Sequence, residues 1–208
     1  MKFDLHVHTS ISPCSRLPLH EILNEAYQRD LAGVCITDHD TMEIRHHLHE
    51  GVQANGLCVL FGMEYSTRQG DFLLFGPFEE LQKGLPAKTL LRHVATSGGV
   101  AIAAHPFRRN RSTAEWLVDQ GLCEIVEGIN GRNQPHENDA VNGWSHRYGV
   151  KKVGGSDAHT LDELGQVTTR FFTPIRSRYD LIQALKSGQF LPERNALHQS
   201  PFLKYQAA

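Results

Sequence analysis

No stretch of the 208-residue chain is apolar for long enough to span a bilayer. The amino terminus also lacks a basic segment followed by an apolar one. These absences argue against a membrane protein, and a cytoplasmic location is expected. Charge of one sign is missing too. Lys and Arg number 21 against 23 Asp and Glu, so the net charge of -2 gives no global field toward nucleic acid or lipid. Nor is there a basic patch with interleaved aromatics, the platform that single-stranded nucleic acid needs. The four cysteines (Cys14, Cys35, Cys58, Cys123) form no CxxC pair. Three of them sit in apolar strand-like runs, as free thiols of a reducing compartment do. No repeat, linker or low-complexity segment divides the chain, so one domain over residues 1–208 is expected, large enough for a sizeable core.

What the chain does have is histidine, 13 in all. The stretch Asp4-Leu5-His6-Val7-His8 reads as the end of a short strand, and period-two alternation puts His6 and His8 on one face. A lone HxH is a weak signal. It gains weight because later apolar, strand-like segments also end in His, Asp or Glu. Gly33 to His39 is a buried strand, and Leu57 to Thr67 is another that passes through Glu64, with Asp71 to Phe75 as its hairpin partner. Val100 to Ala104 ends at His105, Glu124 to Asn130 follows, and Lys151 to Gly155 leads into Asp157 and His159. Helices are expected at Leu19 to Leu31, Thr41 to Ala54, Ala87 to Ser97, Thr113 to Gln120, Gln134 to Tyr148 and Arg178 to Lys186. The tail Leu191 to Ala208 has no clear pattern.

Alternating strand and helix argue for an α/β fold with a largely parallel sheet. In a (β/α) barrel, the carboxyl ends of the strands form the rim that carries active sites. That would bring His6, His8, His39, Glu64, His105, Asp157 and His159 to one mouth. Seven such side chains exceed the need of one four-coordinate ion and suit two or three divalent ions, Zn, Mn or Fe(II), with Glu64 as a bridge. Closely spaced ions can share a hydroxide nucleophile and stabilise charge on a phosphoryl oxygen.

Five ordered motifs make the pattern specific: Asp4-Leu5-His6-Val7-His8-Thr9, Thr37-Asp38-His39-Asp40, Gly62-Met63-Glu64, Ala104-His105-Pro106 and Gly154-Gly155-Ser156-Asp157-Ala158-His159. Together they resemble the PHP family, named for polymerase and histidinol phosphatase domains, over about residues 3–170. The resemblance implies a distorted (β/α)7 barrel, a trinuclear metal centre and metal-dependent phosphoester hydrolysis. It implies that His6 and His8 hold a first ion with Glu64 and Asp157. His39 and His159 would hold a second, and Glu64 and His105 would serve a third. The sequence departs from the family pattern at Cys14, which is either a thiolate ligand or no ligand, and at Asp71, which is either a ligand or a turn aspartate.

Arg108 and Arg109 follow His105 on the expected rim. Guanidinium forks match phosphate oxygens, so both are candidate substrate contacts, with Arg16, Asn130 and Arg132 as further ones. A solvated loop arginine is the plain alternative for each. Glu127 and Asn130 would line the site or orient ligands, and Asp4 and Asp38 would support neighbouring histidines. His20, His46, His47, His49, His93, His136, His146 and His198 read as ordinary polar residues. His159 or His39 is a candidate acid for the leaving oxygen.

The expected function is hydrolysis of a small phosphorylated metabolite or nucleotide. The alternatives are a nuclease on short nucleic-acid ends, a non-catalytic metal-binding module, and an amidohydrolase-like barrel. Oligomeric state is not readable.

Overall fold

The computed structural model describes residues 1–195. The chain runs β1 (Lys2–Val7), α1 (Leu19–Gln28), β2 (Gly33–Ile36), β3 (Gly51–Val52), β4 (Cys58–Phe61), β5 (Met63–Thr67), β6 (Gly70–Phe75), α2 (Ala87–Thr96) and β7 (Val100–Ala103). It continues with α3 (Glu115–Asp119), β8 (Ile125–Asn130), α4 (Pro135–Tyr148), β9 (Lys151–Gly155), β10 (Val167–Phe171), α5 (Arg178–Ser187) and β11 (Phe190–Arg194). None of the described helices is long and apolar enough to cross a membrane.

The strands form two sheets, ordered β11-β10-β1-β2-β4-β3 and β5-β6-β7-β8-β9. The sheet is mixed rather than largely parallel. β1, β2 and β4 run parallel, as do β7, β8 and β9, whereas β10, β11, β3 and the β5–β6–β7 run pair antiparallel. Two isolated parallel bridges join the sheets, His39 to Glu64 on one side and Val7 to Ala158 on the other. Alternate residues of both sheets (Phe3, Leu5, Cys35, Leu60, Leu73, Phe75, Ile102, Val153) meet in one interior cluster, closed at one end by Leu181 and Leu185 of α5. The opposite faces (Val34, Ile36, Val59, Phe72, Leu74, Val126) pack on α1 to α4. The result is a mixed α/β, barrel-like fold in which the named strands remain two sheets.

Three departures from the sequence expectations have local causes. The segment Thr41 to Ala54 is not a helix. It holds one 3-10 turn (Glu43–His46) and then β3. Its buried apolar residues, Met42 and Ile44, are two apart rather than three or four, and Gly51 sits at φ +117°. Leu57 to Thr67 is two strands in different sheets, broken at Gly62. A Cβ there would lie 2.6 Å from the Leu74 carbonyl, so the missing side chain lets the chain cross the seam. Finally, Phe190–Arg194 is an edge strand on β10, so part of the unpatterned tail is sheet. The rest of the tail, and with it His198, lies outside the described residues.

Candidate metal centre

The β1–β2 register shifts between Asp4 and Val7. That irregularity reverses the alternation: Phe3 and Leu5 face the interior cluster, while Val7 packs toward the helices. His6 and His8 are thereby turned together into the mouth, both fully buried. Their Nε2 atoms face each other at 3.0 Å.

The other ring atoms are spoken for. His6 Nδ1 is 2.9 Å from Glu127 Oε1. His8 Nδ1 is 3.2 Å from Ser12 Oγ, whose own proton goes to Asp38 Oδ1 at 2.6 Å. Carboxylates accept only, so both rings donate from Nδ1 and turn Nε2 lone pairs toward each other. When both rings are neutral, facing lone pairs at that distance need a cation between them, either a proton or a metal ion. This donor set therefore fits a divalent ion.

Glu64 and Asp157 supply the opposing charge. Glu64 Oε2 is 3.3 Å from His8 Nε2 and 3.0 Å from His39 Nδ1, and Glu64 Oε1 is 2.8 Å from His105 Nε2. Asp157 Oδ1 is 3.5 Å from His6 Nε2, His8 Nε2 and His159 Nδ1. Three groups of donor atoms lie close enough together to hold an ion: His6, His8 and Asp157; His8, His39 and His159; and Glu64, Asp71 and His105. His8 is common to the first two, and Glu64 of the third lies 3.3 Å from its Nε2, so the groups form one connected centre.

Electrostatics follow from this packing. Burial opposes charging of His6, but the carboxylates of Asp157, Glu127 and Glu64 outweigh it and hold the ring well above its usual range. His8 is raised in the same way by Asp157 and Glu64. Burial alone would raise Glu64 and Asp157, yet the facing histidines hold both below the usual carboxylate range. His159 is pushed down to about 4 by burial and by His8. Burial lifts the Asp4 carboxyl to about 6 even though His6 N, Ser156 N, Ser156 Oγ and Gly165 N all donate to it.

Backbone strain gathers here. Asp40, His105 and Asp157 are among five non-glycine residues at positive φ in the described part of the chain, at +53°, +31° and +58°. Each directly follows or precedes a residue of the mouth or belongs to it. His105 also precedes Pro106, which restricts its backbone further.

The structure sorts the remaining candidates. Cys14 Sγ lies 3.2 Å from His159 Nε2, and burial pushes its thiol up. Asp71 is buried, with Oδ2 3.8 Å from His105 Nε2 and 2.7 Å from Arg111 Nε. Arg108 is committed inward: its guanidinium reaches Asp157 Oδ2 at 2.8 Å, Asn130 Oδ1 at 2.7 Å and Asn133 Oδ1 at 2.9 Å. Asn130 is fully buried, and its amide also donates to Glu127 Oε2 at 2.8 Å. Arg132 pairs with Glu163 at 3.3 Å on the rim. The side chains of Arg16 and Arg109 are exposed, and only their backbone amides bond here, to the His159 carbonyl and Glu137 Oε1. His20, His46, His47, His49, His93, His136 and His146 are exposed and away from the centre.

Sequence reasoning missed Arg111 and Ser12. Arg111 belongs to the same arginine-rich loop as Arg108 and Arg109, which was a usable signal. Ser12 gave none, since its role depends on the loop folding back over His8.

A model of the PHP domain matches residues 4–142, and a PHP-associated model matches 135–190. The chain belongs to the PHP family. It is 28% identical over 163 residues to protein MJ1587 of Methanocaldococcus jannaschii, covering 74% of this chain and 94% of that protein. Among solved structures, PsfC from Pseudomonas syringae superposes with a TM-score of 0.76 at 19% identity, covering 95% and 92% of the two chains. The lesion-specific endonuclease PfuEndoQ from Pyrococcus furiosus gives 0.65 at 17% identity, covering 89% of this chain and 56% of that one. The family match makes this a PHP-type hydrolase, a metal-dependent family, and its His, Asp and Glu clusters could hold metal.

Proposed function

We propose that this PHP protein is a phosphoesterase acting on a small phosphorylated metabolite or nucleotide, with two to three ions of Zn, Mn or Fe. The observation that carries the reading is the run of three adjoining donor groups around His8 and Glu64, rimmed by arginines of the Arg108–Arg111 loop and by Arg132. His6, His8 and Asp157 would hold one ion, His39 and His159 with His8 another, and Glu64, Asp71 and His105 a third. When bound, such ions supply an activated water and neutralise charge on the phosphoryl group.

The protein's own groups divide the remaining work. Glu127 and the Ser12–Asp38 pair fix the rings of His6 and His8. Arg108 fixes Asp157, and in this reading it acts through that carboxylate before it acts on substrate. His159, held neutral near pH 7, is better suited to binding than to protonating the leaving oxygen, which favours His39 or a water for that step. Arg111 and Arg132, each about half-exposed on the rim, are left as the arginines a substrate entering the mouth would meet in this reading.

A nuclease on short ends is the second reading, supported by the fold shared with PfuEndoQ. A panel of phosphate monoesters, diesters and short oligonucleotides, assayed with each metal, separates the two. His8→Ala and Asp157→Asn serve as controls. Turnover of one small-ester class, lost in both variants, supports the proposal. Absence of turnover with every metal, together with less than one ion per chain, points instead to a non-catalytic module.

A further inference from the structure

Arg111 stands where a metal ion and a side chain want the same atom. Its Nε lies 2.7 Å from Asp71 Oδ2, the oxygen that also faces His105 Nε2 at 3.8 Å. Asp71, Glu64 and His105 form the third donor group. Asp71 is buried, but the Arg111 side chain is 43% exposed. Among the described residues, the side chain's only other bond is a long one, 3.5 Å from Nη2 to Ser66 Oγ. The guanidinium therefore grips one carboxylate oxygen with one nitrogen, short of the two-pronged pairing arginine favours.

Beside it opens a cleft of about 420 Å³ lined by Ser66, Thr67, Arg68, Asn110 and Ser112 as well as Asp71 and Arg111. A carboxylate oxygen that binds a divalent ion gives up most of its attraction for a cationic neighbour. An arginine on the rim of a polar cleft then has somewhere to go.

We propose that Arg111 caps Asp71 while the third group is empty and is displaced by the ion into the cleft. There it binds an anionic oxygen of the substrate. Metal loading thus switches on an anion site. The inference rests on the metal-dependent reading above, and it adds two consequences. Arg111 weakens the last ion to bind, and the loaded protein depends on Arg111 for anion affinity.

Both can be read without turnover, by calorimetric titration of the full chain with Mn and then of the Mn-loaded protein with inorganic phosphate. Arg111→Gln should bind its weakest ion about tenfold tighter, the size of one charged hydrogen bond no longer broken. The loaded variant should bind phosphate about tenfold more weakly. Arg111→Lys, which keeps the charge but loses the planar fork, should fall between. Arg132→Gln removes an equally exposed rim charge that pairs with Glu163 instead, so it controls for net charge in the ion titration. Unchanged or weaker ion binding in Arg111→Gln, unchanged phosphate affinity, or equal ion tightening in Arg132→Gln would overturn the proposal. If wild type binds no ion at all, the proposal and the functional reading fall together. Ion and phosphate behaviour as expected, without hydrolysis of any ester, would sink only the functional reading.

Discussion

Glu127 Oε1 sits 2.9 Å from His6 Nδ1, while Oε2 of the same carboxylate accepts from the His105 backbone amide at 2.7 Å. One fully buried carboxylate on β8 thus sets the ring of a β1 histidine and the backbone of His105, two residues past β7. Glu127→Gln keeps the shape but replaces one acceptor with an NH2 that must face a donor. Affinity for the ion held by His6 should fall by about 10- to 100-fold, the usual cost of losing an orienting partner. Calorimetric titration with Zn or Mn checks this. Unaltered affinity would mean that Glu127 only fills space.

Arg108 offers a sharper distinction. Its Nε is held by Asn133 and its Nη2 by Asp157 and Asn130. Arg108→Ala should therefore lower ion occupancy, seen by elemental analysis after gel filtration, and not merely raise KM. A rise in KM at full occupancy would make Arg108 a direct substrate contact.

Protons and ions compete for the same nitrogens. In the ion-free protein, burial resists charging of His6 and His8, but the facing carboxylates raise both above 6.5. A raised folded-state pKa contributes stability that is complete below the unfolded value and lost as pH rises through the folded one. The Tm of EDTA-treated protein should thus decline as pH climbs above about 6.5. Loaded protein should keep its Tm, because the ion takes the proton's place. Ion affinity should weaken as pH falls, with protons released on binding. Equal pH profiles for the two forms would contradict this.

Gly155 ends β9 against the centre. A Cβ there would lie 2.7 Å from both Glu127 Oε1 and His6 Cβ. Gly155→Ala should cost about 1–3 kcal/mol in urea unfolding of the ion-free protein, as overpacking does. It should also weaken ion binding, because the atoms that must move are the ones that orient His6.

The sequence alone singled out the His, Asp and Glu side chains that the fold gathers into the candidate centre. Short-range order did it: His6 and His8 share a face because strands alternate, and polar residues at the ends of apolar strands point to one rim. The same local logic identified β7, β8, β9, α2, α4 and α5 to within a few residues. It failed for Thr41 to Ala54, where a histidine-rich polar surface resembled a helix face and only packing of Met42 and Ile44 decided otherwise.

Tertiary structure decided what the polar residues do. Residues far apart in the chain meet only when strands line up side by side in a sheet, as Arg108 beyond β7 meets Asp157 beyond β9 and Arg111 meets Asp71 of β6. Rim arginines that look alike in sequence then separate into one locked under a carboxylate, one poised beside the cleft, one paired with Glu163 and two turned outward. No local pattern carries that information, because hydrogen-bond partners are set by three-dimensional distance, not by spacing along the chain.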